Sequence, residues 1–391
     1  MDEPEARARL RVVGMTHAGR SGGRAAPVLA PGTVVAGRYR VERLIGEGAS
    51  GSVFLAERVE RAGPEAEAGA RVALKVLHRE HLRDPQFGRR FAREARILER
   101  LRGPGLVRLL DHFETPDGLP TMALELVQGV SLAELLARGP LPAERATRLA
   151  GQVCEALGHA HAAGIVHRDL KPGNVVVERA GESDERARVL DFGMGKLLRG
   201  DASVSVNALT EQDMVFGTPE YMAPEQARGD DVDERGDVYA VGVLLYEMLT
   251  GDVPFRRPTP IATMTAHLVD PPEPASKRAP GARLPPALDA VVLHALAKRP
   301  EDRYPTAAAL SSALVRASEA PADTGSVAPP PDLALGDTDL ALEAPPAGVA
   351  SPLAGEPVVP TRPGFGFWIA AAIAVAVGVG VGVAMSLAGG R

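Results

Sequence analysis

The sequence predicts an α+β protein: a small, antiparallel strand-rich part with one main helix, then a larger, mostly helical part, with one membrane-spanning helix near the C-terminal end. Three observations carry that expectation. Strand-like runs bounded by turn residues fill Tyr39 to Leu126, interrupted by one amphipathic stretch. After Gly129 the pattern becomes mostly helical. From Gly364 to Gly390 no residue is charged, and that run exceeds the roughly 20 apolar residues needed to cross a bilayer.

The elements follow in chain order. Residues 1–36 are rich in Arg, Gly, Ala and Pro without a clear period, and read as a flexible tail. No apolar run stands behind a basic start, so no signal peptide is expected, and Asp2, Glu3 and Glu5 argue against a transit peptide. A globular region spans residues 37–317. Its first strands are expected at Tyr39–Gly46, Val53–Glu57 and Arg71–Leu77, with a charged insertion, Glu60 to Ala70, between the second and third. Pro85 to Leu101 reads as an amphipathic helix with Phe91, Ala95 and Leu98 on one face. Strands are expected at Leu106–Glu114 and Thr121–Leu126, joined by a turn at Pro116-Asp117-Gly118. Ala143–Gly164 and Gly236–Gly251 are the clearest helices. Residues 318–363 are Pro- and Ala-rich, lack aromatics and carry a single basic residue, Arg362, so they read as a disordered linker. A flexible coil of about 46 residues spans roughly 35–40 Å. Residues 364–390 form the membrane helix, opened by Phe365, Phe367 and Trp368. There is no internal repeat.

Composition narrows the function classes. The chain has 391 residues, 45% of them hydrophobic, and a formal net charge of −6. No long basic run points to nucleic acid as a partner. Cys154 is the only cysteine, so no intrachain disulfide can form. It reads as a small buried hydrophobe on a helix.

Five motifs carry chemistry. Gly46-Glu47-Gly48-Ala49-Ser50-Gly51-Ser52-Val53 lies between two expected strands. Its glycines let backbone N–H groups approach phosphate oxygens. The same spacing occurs in dinucleotide-binding folds, but there a helix follows it; here Val53-Phe54-Leu55 continues as a strand, which favours a lid over ATP. In Val72-Ala73-Leu74-Lys75 a lysine sits in an apolar strand, where its charge needs a carboxylate or phosphate partner. Glu94, on the following helix, is the candidate. His167-Arg168-Asp169-Leu170-Lys171-Pro172-Gly173-Asn174, Asp191-Phe192-Gly193 and Gly217-Thr218-Pro219-Glu220-Tyr221-Met222-Ala223-Pro224-Glu225 complete the series.

With all five in order, the stretch from Tyr39 to about Ala317 resembles a eukaryotic-type protein kinase, and most resembles the bacterial serine/threonine branch. Abundant Ala, Gly, Pro and Arg with scarce Lys agrees with a GC-rich bacterial gene. The resemblance implies the two-lobed kinase fold and ATP with Mg²⁺, or Mn²⁺ in its place. It implies that Gly46, Glu47, Gly48, Ala49, Ser50 and Gly51 cover the phosphates. Lys75 would hold the α- and β-phosphates while Glu94 orients it. Asp191 and Asn174 would bind the metal ions, Asp169 would accept the substrate hydroxyl proton, and Lys171 would steady the transferred group. Lys171 and Thr218 fit the serine/threonine pattern rather than the tyrosine one.

By the same resemblance, Ile45, Val53, Ala73 and Val176 would enclose the adenine ring. Glu125 C=O and Val127 N–H would pair with its edge, beside a gatekeeper at Leu124. Asp237 would hydrogen-bond the catalytic-loop backbone, and Glu225 would pair with Arg303. His159 and His161, two apart on a helix, do not face one another and so do not suggest a shared metal; His161 is expected near the catalytic loop. Gly195 departs slightly from the family pattern. The insertions Glu60–Ala70 and Gly181–Arg186 are expected to be solvent-exposed.

Regulation and location are expected as follows. Arg168 would pair with a phosphate added by autophosphorylation to Thr210, Ser205 or Ser203. The membrane helix would leave the kinase region on the cytoplasmic face of a membrane, expected to be a bacterial inner membrane. With only a few residues emerging beyond it, no extracytoplasmic sensor domain is expected. The spacing of Gly378 and Gly382 would permit close helix contact in a homodimer. Protein substrates bearing Ser or Thr are the expected partners. A non-catalytic module keeping the same fold is the competing reading, and the complete set Lys75, Glu94, Asp169, Asn174 and Asp191 opposes it. Phosphotransfer to a small molecule is opposed by the peptide-platform-like segment Gly217–Glu225.

Overall fold

A computed structural model describes residues 29–48, 51–59, 69–79, 82, 87–99, 101–192, 218–282 and 284–319. The N-terminal tail to residue 28, the linker from residue 320 and the expected membrane segment 364–390 lie outside the described residues, as do 60–68 of the first insertion and 193–217. No helix among the described residues is long and apolar enough to cross a membrane.

The strand-rich part is a six-stranded antiparallel sheet. It comprises β1 (Val34–Val35), β2 (Tyr39–Gly48), β3 (Gly51–Arg58), β4 (Arg71–Leu77), β5 (Leu109–Glu114) and β6 (Pro120–Glu125) in the order β1-β2-β3-β4-β6-β5. β2 and β3 pair as far as Gly48 and Gly51, within the glycine-rich motif. Gly51 is required there, since a Cβ would meet the Val76 carbonyl oxygen at 2.3 Å. The register sets Lys75 opposite Val53 on one side and Met122 on the other, and Ala73 opposite Leu124. One face of the sheet buries Tyr39, Val41, Phe54, Val72, Leu74 and Ala123 in a core of its own. Against the other lies α1 (Phe87–Leu98), whose expected apolar face, Phe91, Ala95 and Leu98, is buried in the main core.

One expected strand starts late. Leu106 to Arg108 do not belong to β5; Leu106 instead makes an isolated parallel bridge to Val189. Gly105 O accepts the Val189 N–H at 2.7 Å. These residues serve the junction between the two parts rather than the sheet.

The helical part begins with β7 (Val130–Ser131) and α2 (Leu132–Leu136), which is capped by a reciprocal Ser131–Glu134 box. The long α3 (Ala143–Ala162) follows, then β8 (Val175–Glu178) and β9 (Arg186–Val189), which form a three-stranded sheet with β7. Next come α4 (Pro224–Arg228), α5 (Glu234–Thr250), α6 (Pro260–Val269), α7 (Ala275–Arg278), α8 (Pro286–Ala295) and α9 (Ala307–Glu319). α5 is the hub. Asp233 caps its first turn through the Arg235 N–H, and residues on every side of it are buried, from Val238 to Leu249. Each Leu, Val or Met so buried contributes about 1.5–3 kcal/mol. A helix apolar all round is found inside a domain; here α3, α8 and α9 enclose it. Cys154 is fully buried on α3, and burial pushes its thiol up to about 12, so it acts as the packing residue expected.

The Gly181–Arg186 insertion corrects an expectation. Five of its six residues are exposed, but Glu185 is buried, its side chain 1% exposed. Arg145 grips the carboxylate through Nε and Nη2 at 3.0 and 2.8 Å, Arg148 adds a contact at 2.8 Å, and the Gly181 N–H donates at 3.1 Å. Burial alone would raise the carboxyl pKa; Arg145, Gly181 and Arg148 outweigh it and hold it below the usual carboxylate range. The loop is thereby pinned to α3.

Candidate functional site

The cleft between the two parts is lined from above by Ile45, Val53, Ala73 and Lys75, and from below by Val176, Leu190, Asp191 and Phe192. Glu125, Leu126 and Val127, which link the two parts, form its back edge. It is a concave, mainly apolar recess with a few polar groups, the usual character of a small-molecule site. The apolar walls expected around an aromatic ring are therefore all in one place. Sequence reasoning missed Leu98, Val107, Met122 and Leu190 in this lining. Met122 becomes legible only once β6 is paired with β4, which puts it opposite Lys75.

Lys75 is 3% exposed, and its Nζ lies 2.8 Å from Asp191 Oδ2. A buried ammonium left unpaired would be costly, so this pair satisfies the strand lysine. Glu94 lies on α1, but its side chain is outside the described residues.

The catalytic-loop candidates are held by a dense hydrogen-bond set. Asp237, buried at the start of α5, accepts the N–H groups of His167 at 2.8 Å and Arg168 at 2.9 Å, and lies 2.7 Å from His161 Nε2. Gln226 Nε2 donates to the Arg168 carbonyl at 2.8 Å. Arg168 is thus fixed on both sides in a left-handed conformation, φ +65. Asp191 is also left-handed, φ +60. Such backbone costs of order 1–3 kcal/mol per residue and persists only where its surroundings enforce it.

Two bonds join this loop to the segment carrying Asp191. His167 Nε2 lies 2.8 Å from the Leu190 carbonyl, and the Leu190 N–H donates to the Asn174 carbonyl at 2.8 Å. The His167 and Phe192 rings meet edge to face, 4.9 Å between centroids. Asp169 and Asp191 therefore belong to one assembly. Lys171 Nζ donates to Asp169 Oδ2 at 2.9 Å, and Asn174 Nδ2 donates to the Asp169 carbonyl at 2.7 Å. That bond occupies the Asn174 amide nitrogen and leaves the amide oxygen as the group that could face a cation. Asp169 keeps 29% of its side-chain surface exposed, which opens it to an incoming substrate.

A carboxylate and an amide oxygen beside a lysine suit a hard cation that keeps phosphate ligands. Among the described residues, no group of three His, Cys, Asp or Glu side chains could hold a metal unaided. The donor set therefore fits a metal that arrives with phosphates.

Of the remaining site candidates, Gly46 and Glu47 lie on β2, with Glu47 exposed, and Gly48 ends that strand. Ala49 and Ser50 fall outside the described residues, as do Gly193, Gly195, Ser203, Ser205, Thr210 and Gly217. Thr218 lines a small recess with Arg168, Asp169 and Tyr221. The Glu225 and Arg303 side chains pair face to face in the interior, at 2.8 and 2.7 Å. His159 and His161 do not share a metal site: His161 is turned to Asp237, whereas the His159 ring packs close to Gly103. Gln226 was missed, since nothing in a lone glutamine on a short helix marks it as a clamp.

Comparison with known proteins agrees with this geometry. Residues 39–315 match the protein kinase domain family model. Serine/threonine-protein kinase pkn3 of Myxococcus xanthus is 42% identical over 284 residues, covering 72% of this chain and 50% of that protein. Serine/threonine-protein kinase PknB of Mycolicibacterium smegmatis is 38% identical over 334 residues, covering 84% of this chain and 50% of that one. The chain spans about half the length of these curated relatives. The crystal structure of the Mycobacterium tuberculosis PknI kinase domain superposes with a TM-score of 0.56 at 30% identity, covering 74% of this chain and all of that one. The chain belongs to the protein kinase family, and its relatives are bacterial serine/threonine kinases.

Proposed function

We propose that the protein transfers the γ-phosphate of ATP to serine or threonine hydroxyls of other proteins. The observation that carries this reading is one connected assembly: Asp169, Lys171 and Asn174 are tied through His167 and Leu190 to the segment carrying Asp191, which pairs with Lys75 in the cleft. Phosphoryl transfer is mainly a matter of positioning and charge. The apolar walls around Val53, Ala73 and Val176 take the adenine ring, and the backbone of Glu125 and Val127 reads its edge. Lys75 holds the α- and β-phosphates. Asp169 accepts the proton of the substrate hydroxyl as the oxygen bonds to the γ-phosphorus and the bond to the β-phosphate oxygen breaks, releasing ADP. Lys171 offsets charge on the group in flight. Asp191 and Asn174 would hold Mg²⁺, which when bound neutralises phosphate charge and aligns the triphosphate.

Two further readings belong to the same proposal. Arg168 receives a phosphate placed on Thr210, Ser205 or Ser203 by autophosphorylation, ordering the segment before Thr218. Residues 364–390 anchor the protein in a membrane with the kinase region on the ATP-containing, cytoplasmic side, and Gly378 and Gly382 support pairing of two such helices.

The direct test is incubation of purified protein with radiolabelled ATP, a generic protein substrate, and Mg²⁺ or Mn²⁺. Metal-dependent labelling on serine and threonine is expected, and its absence in every metal condition counts against the reading. Phosphopeptide mapping should find phosphate between Asp191 and Glu225. Deleting the residues after Arg362 should move the protein out of the membrane fraction; unchanged sedimentation contradicts the anchor.

A further inference from the structure

Glu125 borders two recesses. One is the cleft already described. The other, more polar, is lined by Gly105, Arg108, Gln152, Glu178 and Arg188 among others. Arg188 lies on β9, three residues before Asp191, and keeps 17% of its side-chain surface exposed. Its Nη2 donates to the Leu106 carbonyl at 2.8 Å and to Glu125 Oε2 at 3.0 Å, and its Nη1 is 3.5 Å from Glu178 Oε2. The other cation near Glu125, Arg108, makes longer contacts at 3.4 Å from its N–H and 3.5 Å from Nε. The carboxylate of the linking segment is therefore held chiefly by a residue of the helical part.

What Arg188 grips is itself fixed. Leu106 bridges to Val189, and Gly105 accepts the Val189 N–H. Gly105 is left-handed at φ +73 and sits so close to α3 that a Cβ would meet Ala156 Cβ at 2.8 Å. The loop after α1 is thus seated on α3, and Arg188 ties it to the segment that borders the adenine cleft. Glu125 is anchored on one side by its backbone, since its N–H donates to the Arg108 carbonyl at 2.9 Å, and on the other by its side chain. Releasing the side chain frees the peptide that follows.

We propose that Arg188 is a positioning residue for the nucleotide: through Glu125 it holds the linking peptide in place for the adenine ring, and so sets nucleotide affinity without touching the nucleotide. This inference rests on the proposal that the cleft binds ATP. Because the grip acts at the adenine end, it changes affinity for the base and leaves the phosphate end alone.

The test uses the full chain and three variants: Arg188→Ala, Arg188→Lys and Glu125→Gln. Adenosine binding is measured by calorimetry, inorganic tripolyphosphate as a competitive inhibitor, and ATP turnover by steady-state kinetics. Arg188→Ala should weaken adenosine binding and raise the ATP KM about 3- to 10-fold, the equivalent of one ordinary net hydrogen bond, since the grip acts on the nucleotide only through Glu125. Its kcat should stay within about twofold, with tripolyphosphate inhibition unchanged. Arg188→Lys should fall between, since one ammonium cannot satisfy the carbonyl and the carboxylate together. Glu125→Gln keeps the side-chain shape and should match Arg188→Ala, with the double variant no worse than either single one. It also keeps the test readable if Arg188→Ala fails to fold. Full adenosine affinity in Glu125→Gln overturns the proposal. So does a variant that melts earlier with unchanged ATP KM, equal loss of adenosine and tripolyphosphate affinity, or a raised kcat at constant KM. Failure of the underlying reading would show separately, as a wild-type chain that binds no adenosine and transfers no phosphate.

Discussion

Replacing Asp237 with asparagine separates scaffolding from chemistry. The Asp237 carboxylate accepts two backbone N–H groups, at 2.8 and 2.9 Å, and is 1% exposed. An amide can accept on its oxygen only. Its nitrogen must then face a donor, with His161 crowding the same side at 2.7 Å. The variant forfeits one hydrogen bond to a charged group, about 1.5–3 kcal/mol, and leaves a buried N–H unpaired for about 1–3 kcal/mol more. A loss of about 3–5 kcal/mol should lower Tm by roughly 6–15 °C for a domain of this size. The same bonds force Arg168 into its left-handed conformation, so the peptide before Asp169 should shift. A displacement near 1 Å at a reacting group can cost about 100-fold in rate. We expect kcat for a protein substrate to fall about 100-fold below the new Tm, with the ATP KM within about threefold. Melting curves and steady-state kinetics on the same preparation decide it. A Tm loss of the stated size with kcat within threefold of wild type would refute the claim that Asp237 positions the catalytic loop.

Two further outcomes follow from interior charges. Arg303→Ala should destabilise the chain by about 3–5 kcal/mol, because it strands the buried Glu225 carboxylate, whereas the double variant Glu225→Ala/Arg303→Ala should be milder; urea unfolding measures both. His267 is buried against Tyr239 and Phe255, and burial, with Lys298 nearby, pulls its pKa down to about 3 from 6.5. The folded state keeps this ring neutral while the unfolded chain protonates it near 6.5, so its contribution to stability falls as pH drops from 6.5 toward 3. At pH 5 the loss is about 2 kcal/mol. His267→Gln should flatten that part of the urea-midpoint profile between pH 7.5 and 5, and an unchanged slope would contradict the assignment.

Much of the fold was legible because local signals agreed with tertiary ones. Arg71–Leu77 is a strand with the bounds its pattern implies, and α1 buries Phe91, Ala95 and Leu98 as their spacing requires. Asp237 and the Glu225–Arg303 pair followed from motif position. What stayed hidden depends on long-range partners. Leu106 to Arg108 look like strand, but Leu106 pairs with Val189, far along the chain, and leaves the sheet. Glu185 looks like one more charge in a polar loop, and only the two arginines of α3 explain its burial. The strand lysine visibly needed an acidic partner, and Asp191 meets that need here. The grip of Arg188 on Glu125 joins residues 63 positions apart, and neither sits in a motif that marks the pair.

The central claim is that Asp169 handles the proton of a protein hydroxyl at the open end of a nucleotide cleft. Asp169→Asn removes that base but keeps the side-chain shape and leaves the adenine walls and Lys75 untouched. The decisive measurement is radiolabel transfer from ATP to a protein substrate, with ATP affinity determined on the same sample. The account predicts transfer lowered about 10²- to 10⁴-fold, the usual contribution of a positioned acid–base group, with ATP affinity within a few-fold of wild type. Transfer at the wild-type rate by the variant would contradict it.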